Sequence, residues 1–450
     1  MRGHEPTEKV DYLRVLSRLS FASCIVLVSA MSARADDVVP ESRLPATLNL
    51  EQALGVFRTN GLDLLIADAA VQSAEGNVAV ADAIPNPSLS ATYGFSYYPG
   101  NAMKAPPYVA IGLTDQAAIE DTLSGKRGLR NDVAEAALRA ARLGRTDAER
   151  TIAFAVKAQF EQVLLAQGAL RFARDTANAN AIMLDKAQKQ RDADKIQRPD
   201  LLRVKVAKLE SDQAVDQAEQ NLRKARAQLA FLLGVRSANS EFVAVEPELE
   251  HFSLPPSLAS ASHDSLLEQA FKARPDLAAQ EAQVASADAG LRLAKRLRFP
   301  DITLSLGYAQ QGTSPMDPSP PTFSIGLSAP IPVLYQQQGE IQMANANLRT
   351  QQLQVAKLRA TVRAQFDAAY ADFMASRALV QRMETGELLE SARQAKDDIR
   401  LLYEKGGAQL VDYLVALATY ISTYLEYLND VGGYWTSVFE LEQAIGKELR

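Results

Sequence analysis

The sequence predicts a mainly helical protein that carries membrane strands: a β-barrel shared between several chains and continued coaxially by a long helical tube. Three observations lead there. From Glu340 to about Tyr403 apolar residues recur at heptad spacing, with no Gly or Pro between Gly339 and Gly386. Short segments of strict apolar/polar alternation lie between helical patterns, two in each half of the chain. The whole order is then written a second time, at an offset of about 213–217 residues.

In the long stretch Ile341, Leu348, Val355, Val362 and Ala369 form one row, and Phe366, Phe373 and Val380 a second. That period marks a buried seam on one helix. At 1.5 Å rise per residue it would run roughly 95 Å, so it needs partners of equal length.

The chain opens with Arg14 and Arg18 ahead of an apolar run, Phe21 to Ala30, and the small-x-small triplet Ala33-Arg34-Ala35. Residues 1–35 therefore read as a secretory signal, and the run is too short to span a bilayer. Cys24, in Phe21-Ala22-Ser23-Cys24, opens lipid attachment as the alternative to cleavage after Ala35. It is the single cysteine, so a cleaved chain has no disulfide. Cleavage takes five basic and three acidic residues, moving the net charge from −6 to about −8. That balance argues against nucleic acid as a partner. No later segment offers the roughly 18 apolar residues of a membrane helix, so any span is made by strands.

The first repeat occupies 36–236. Leu50-Glu51-Gln52-Ala53-Leu54 starts a helical pattern that ends near Ala83, before Asn86 and Pro87. Leu89, Ala91, Tyr93, Phe95 and Tyr97 then alternate with Ser88, Ser90, Thr92, Gly94 and Ser96, the period of a strand. A turn at Tyr98 to Asn101 leads to a second strand, with Val109, Ile111 and Leu113 on one side. A helix follows from about Gly128 to Arg191, then another in which Pro199 sits just inside the start and Gly234 is the stop. Residues 237–262, with Pro247, Pro255 and Pro256, read as a connector.

The second repeat, 263–450, echoes the first. Leu267-Glu268-Gln269-Ala270-Phe271 answers Leu50 to Leu54, and Pro300 answers Pro87. Ile302, Leu304, Leu306 and Tyr308 alternate in the third strand, and Phe323-Ser324-Ile325-Gly326-Leu327 answers Val109 to Leu113. Gly339 answers Gly125, and Asp412 and Leu414 answer Asp200 and Leu202. The half-length helices Glu51–Ala83 and Pro199–Leu233 together match the long one, so two stacked end to end could flank it. Four strands cannot close a membrane barrel, and an open edge in lipid leaves backbone groups unpaired. Bacterial barrels start at about eight strands, so two chains would just suffice and three would give twelve.

This order resembles the TolC-type outer membrane efflux protein family over nearly the whole mature chain. Ala273-Arg274-Pro275-Asp276-Leu277, Phe299-Pro300-Asp301-Ile302, Tyr403-Glu404-Lys405-Gly406-Gly407 and the Ile325-Gly326-Leu327 strand carry the likeness. Ala329-Pro330-Ile331-Pro332-Val333-Leu334 with Gln338-Gly339-Glu340-Ile341 is similar to its heavy-metal resistance branch, although Tyr335-Gln336-Gln337 departs from the residues usual there. The resemblance implies a homotrimer with a twelve-stranded β-barrel, four strands per chain, in outer membrane lipid. It also implies a long periplasmic α-helical barrel docked to a periplasmic adaptor and an inner membrane pump.

It further implies a periplasmic mouth where the long helices turn, near Asp192–Arg198 and Glu404–Gln409. Asp412 matches an acidic constriction position; the second acid the family often has one turn on is Val415 here. Asp200 and Tyr403 match residues of links that hold the mouth shut, and the usual basic partner of the tyrosine is replaced by Ala408. Lys195 and Ile196 on one tip, and Lys405, Gly406 and Gly407 on the other, are the adaptor-facing positions. Helix capping is the plainer role for Asp200 and Asp412, because acids are favourable in a first helical turn.

Enzymatic readings fail on the residues. Gly125-Lys126 lacks the spacing of a phosphate loop. Only His251 and His263 follow the signal, and the Met residues do not cluster, so neither metal site nor cofactor is expected. The sequence thus predicts a passive duct for small solutes, with heavy-metal cations as candidate cargo. A multidrug or protein-secretion duct and an adhesin-like coiled-coil stalk on a shared β anchor are the alternatives.

Overall fold

The computed structural model describes residues 44–94, 108–115, 121, 124–194, 196–236, 241–249, 251–259, 261–311 and 320–449. The signal expected over 1–35 with Cys24, the strand end and loop 95–101, and Lys195 lie outside the described residues.

The first half runs β1 (Thr47–Leu48), α1 (Leu50–Asn60), α2 (Leu62–Asp82), β2 (Ser88–Gly94), β3 (Tyr108–Thr114), α3 (Lys126–Asp192) and α4 (Arg198–Leu232). The connector holds β4 (Val243–Ala244), a 3-10 turn (Pro247–Leu249) and α5 (Pro256–Ala259). The second half runs α6 (His263–Ala273), α7 (Pro275–Arg296), β5 (Thr303–Gln311), β6 (Thr322–Ser328), α8 (Gln338–Thr385), α9 (Leu388–Glu404) and α10 (Leu410–Ile445).

Two helices expected to be continuous are broken. Glu51–Ala83 is α1 and α2, separated at Gly61, where an added Cβ would lie 2.5 Å from the Phe57 ring and 2.7 Å from its carbonyl. The second half breaks at the matching place, with Pro275 opening α7, where its missing N–H costs nothing. The stretch from Glu340 to Tyr403 is α8 and α9, parted at Gly386 and Glu387. An added Cβ on Gly386 would meet the Arg382 carbonyl at 2.9 Å, whereas Gly144, inside unbroken α3, has open space. Glu387 then takes φ 47, in the left-handed region. The third correction concerns Gly339. The left-handed residue answering Gly125 (φ 74) is Gln337 (φ 62), and Gly339 lies within the first turn of α8.

The four long strands form one antiparallel sheet in the order β2-β3-β5-β6. Ser88 pairs with Thr114, Tyr108 with Gln311 and Thr303 with Ser328. Leu, Val, Ile, Tyr and Phe side chains share one face, and Ser, Thr and Gly dominate the other. On the edge strands the apolar face is bare: Leu89 is 74% exposed and Ile325 78%. On inner β3, Ile111 is 46% exposed.

Long α3 is the spine. Its sheet-proximal half is flanked by α2 and α7, and its far half by α4 and α10; α8 packs on α7 and α10, and α9 on α10. The halves repeat their contacts. Arg145 pairs with Asp68 at 2.9 Å, as Arg359 does with Glu281 at 3.0 Å. The main core lies midway, where α1, α3, α4 and α10 meet the connector. There β1 and β4 pair in parallel, and Gln167 clamps Ala244 through both its N–H and its C=O at 2.9 Å. Tyr434 donates to the Ser253 carbonyl and Trp435 to that of His251.

Candidate channel constriction at the helical tip

Each long helical hairpin turns through five residues, 193–197 between α3 and α4 and 405–409 between α9 and α10. Among the described residues each turn holds one left-handed residue, Asp194 (φ 51) in the first and Gly406 (φ 79) in the second. Asp tolerates that region better than most side chains, which is how the first turn manages without glycine. Gln197 (φ −83, ψ 156) and Gln409 (φ −86, ψ 156) then cap the next helices in the same conformation. Asp200 and Asp412 follow as third residues, in equivalent places.

Their side chains are used differently. Asp412 is exposed, and its Oδ2 accepts the Gln409 N–H at 3.0 Å, while the Gln409 side chain takes the Asp412 N–H. This reciprocal pair is a capping box. Asp200 is half-buried and accepts from Arg203 at 3.3 Å. Val415 is 60% exposed.

Tyr403 joins a small apolar cluster built on Ala187, Leu201, Val204 and Leu410, with Ile196 and Leu414 packed against it. Its ring stacks on Tyr413, centroids 6.2 Å apart and planes 5° off parallel. Burial raises the Tyr403 phenol above its ordinary pKa, and the Asp200 carboxylate adds to the rise. The end of α9 is thus brought to the start of α4, uniting Tyr403 and Asp200. Asp412 is engaged with Gln409 instead. Ile196 supports the first turn from within, whereas Lys405, Gly406 and Gly407 are exposed.

Sequence reasoning missed the ion pair between Lys186 on α3 and Glu404 on α9, at 3.4 Å. The partners lie in different repeats, and no local pattern links them. Nor did it reveal Lys396 over the Tyr420 ring at 4.4 Å, or Glu390, whose carboxyl is lowered to about 2 by Arg393 and then Gln394. Lys186 ties α9 to α3 and Lys396 ties it to α10, while the Glu390 contacts lie within α9.

A trough of about 1260 Å³ runs between α3, α4 and α10. Glu210 is its one carboxylate, set against Arg203 and Lys224 among many amides and aliphatic side chains. The trough is therefore not anionic. Among the described residues no three His, Cys, Asp or Glu side chains gather as metal ligands, and no helix is long and apolar enough to cross a membrane.

Comparison with known proteins agrees with this architecture. The cobalt-zinc-cadmium resistance protein CzcC of Cupriavidus metallidurans is 24% identical over 400 residues, covering 89% of this chain and 90% of that protein. A probable outer membrane lipoprotein, SilC, of Salmonella typhimurium is 24% identical over 404 residues, covering 83% and 80%. The crystal structure of CusC superposes with a TM-score of 0.70 at 18% identity, over 91% of this chain and 99% of that one. The family model for outer membrane efflux proteins matches twice, at residues 53–235 and 266–447, once per repeat. The chain belongs to the outer membrane efflux protein family.

Proposed function

We propose that three copies of this chain form the outer membrane duct of a tripartite efflux system, and that its cargo is heavy-metal cations. The carrying observation is the sheet: four strands with a bare apolar face, whose edge strands β2 and β6 pair with no further strand among the described residues. Such a sheet is untenable alone in lipid. Three copies give twelve strands, within the range of bacterial barrels. The helical layer beneath continues the wall.

The cargo rests on the relatives. CzcC, named for cobalt, zinc and cadmium resistance, matches over nine-tenths of both chains. A passive duct needs width and field, not a ligand cage. Three copies of Asp412 around the axis would supply a field that favours cations, and Asp200 with Tyr403 would brace the closed mouth. Energy would come from an inner membrane pump, with a periplasmic adaptor meeting the tip at Lys405, Gly406 and Gly407 on one turn and at Lys195 on the other. Ile196, half-buried, would shape that surface from behind.

The test is growth of a deletion strain across zinc, cobalt, cadmium and hydrophobic drugs. Hypersensitivity to the metals, restored by the intact chain, is the expected result. Hypersensitivity to drugs alone would reject the metal cargo and keep the duct.

A further inference from the structure

The two halves of the chain superpose residue by residue in the sheet. Ser90 Oγ donates to the Gly112 carbonyl at 3.3 Å, and Ser305 Oγ to the Gly326 carbonyl at 3.3 Å. A Cβ added to Gly112 would meet Ser90 Oγ at 2.8 Å, and one on Gly326 would meet Ser305 Oγ at 2.6 Å. So β2 maps onto β5 with Ser90 on Ser305 and Tyr93 on Tyr308, and β3 maps onto β6 with Gly112 on Gly326. Inside the chain, the seam between the halves is β3 against β5, with Gly112 opposite Gly307 and Ile111 opposite Tyr308.

We propose that the seam between neighbouring copies repeats this internal seam, with β6 of one copy antiparallel to β2 of the next in a single register: Gly326 opposite Thr92, Ile325 opposite Tyr93 and Ser328 opposite Ser90. This rests on the reading of the chain as a shared barrel. The mapping alone fixes the pairing, because β6 stands where β3 stands and β2 where β5 stands.

Independent features agree with that register. It puts Phe323, Ile325 and Leu327 on the same face as Ala91 and Tyr93, and Ser324, Gly326 and Ser328 beside Gly94, Thr92 and Ser90. A slip of one residue would turn every apolar side chain of one strand to the wrong face. Hydrogen-bond direction agrees as well. The Asp115 N–H donates to Leu304 O at 2.8 Å, so odd residues of β3 bond even residues of β5. Alternation along each strand then turns Leu89, Ala91 and Tyr93 of β2, and Phe323, Ile325 and Leu327 of β6, toward the open edges. The proposed pairs Ile325 with Tyr93 and Leu327 with Ala91 are the ones that exchange backbone bonds.

The same mapping carries below the sheet. Inside the chain, Lys126 at the head of α3 is 2% exposed, donates to the Phe299 carbonyl at 2.7 Å and pairs with Asp301. Its counterpart at the head of α8 is Gln338, and by the same mapping Phe299, Pro300 and Asp301 answer Ile84, Pro85 and Asn86, so Pro300 stands at Pro85 rather than at Pro87. The seam between copies therefore sets two amides, Gln338 and Asn86, where the seam inside the chain has the Lys126–Asp301 ion pair. Bare side chains flank this seam on both sides: Val80 of α2 is 74% exposed and Met343 of α8 72%.

Paired cysteines test the register, since Cys24 is the only native cysteine. Ser90 and Ser328 of one chain stand on opposite edges of the sheet, three strand spacings apart and four residues out of line, roughly 20 Å in all. A disulfide between them can form only between copies. The double variant Ser90→Cys with Ser328→Cys, in isolated membranes under mild oxidation, is expected to give covalent dimers and trimers on denaturing gels. The double variant Ser88→Cys with Ser328→Cys, slipped by two residues, is expected to give at least tenfold less. Oligomeric mass in detergent, measured on the reduced proteins, separates the levels. A trimer that cross-links through the slipped pair, or through neither pair, overturns the register and leaves the shared barrel standing. A protein that is monomeric by mass overturns both.

Discussion

Asp412 holds a backbone N–H, and in the proposed duct it would also place a carboxylate at the mouth; one substitution separates the two roles. Asp412→Asn keeps an acceptor for the Gln409 N–H and removes the charge. Stability should then change by no more than about 0.3–1 kcal/mol, while cation selectivity in a planar bilayer falls. Unchanged reversal potentials would confine Asp412 to capping. Tyr434 makes a second residue-scale case, in the core. Burial pushes its phenol up to about 12 from an ordinary 10.0. The neutral form is the one the fold favours, so its contribution is complete below pH 10 and is lost as pH rises through 12. Two pK units correspond to about 3 kcal/mol, an order-of-magnitude figure. Urea midpoints measured between pH 10 and 12 should fall less steeply for Tyr434→Phe than for the parent chain. Equal slopes would assign the alkaline loss to other groups. Neither role was fully legible beforehand: the acid was found by its place in a repeat, whereas burial of Tyr434 depends on a connector whose path no local pattern states.

At the scale of elements, the sequence reported periodicity well and interruption poorly. The heptad rows of α8 and the alternation of β2, β3, β5 and β6 were legible because each is a local repeat of side-chain type. Val362, Phe366, Ala369, Phe373 and Val380 are indeed buried, whereas Ile341, Leu348 and Val355 of the same rows are only half-buried. The breaks at Gly61 and Gly386 were missed because glycine alone does not distinguish a helix end from a helix interior: at both breaks an added Cβ would crowd the turn just before, at Phe57 and at the Arg382 carbonyl, whereas Gly144 lies inside an unbroken helix with open space. Gly234 was read as a stop for α4, but what it stops against lies 174 residues away in sequence order, at Asn60. Here φ is +76 and an added Cβ would lie 2.0 Å from the Asn60 carbonyl. Gly144, in the interior of α3, has nothing within 4 Å. The two positions should therefore respond to alanine with opposite sign. Gly234→Ala is expected to cost at least about 2 kcal/mol, while Gly144→Ala should gain about 0.5–1 kcal/mol from helix propensity alone. Thermal inactivation midpoints of the two variants against the parent chain would decide it, and a tolerated Gly234→Ala would mean that α1 does not lock onto the end of α4.

For the whole molecule the deciding quantity is the unpaired edge. The sheet has two, β2 and β6, and in hydrocarbon each unsatisfied backbone group costs several kcal/mol. In the proposed trimer the chain is therefore not expected to enter a membrane and then assemble; closing the barrel and inserting it would be one event. The internal duplication is what allows a single chain to present two complementary edges, because each half offers to the next copy what it already uses toward its other half. A proline on the outer side of β6 tests this coupling. The N–H of Ile325 points to the open edge, so Ile325→Pro deletes no bond of the β5–β6 ladder, and proline is tolerated on edge strands. Helical content by circular dichroism should stay at the parent level, since the core around α3 and α10 is untouched. The heat-resistant trimer and its conductance should be lost together, with the chain left in the soluble fraction or aggregated. If Ile325→Pro still yields a conducting trimer of normal heat resistance, the N–H of β6 is not part of the closure and the barrel must be completed by another edge.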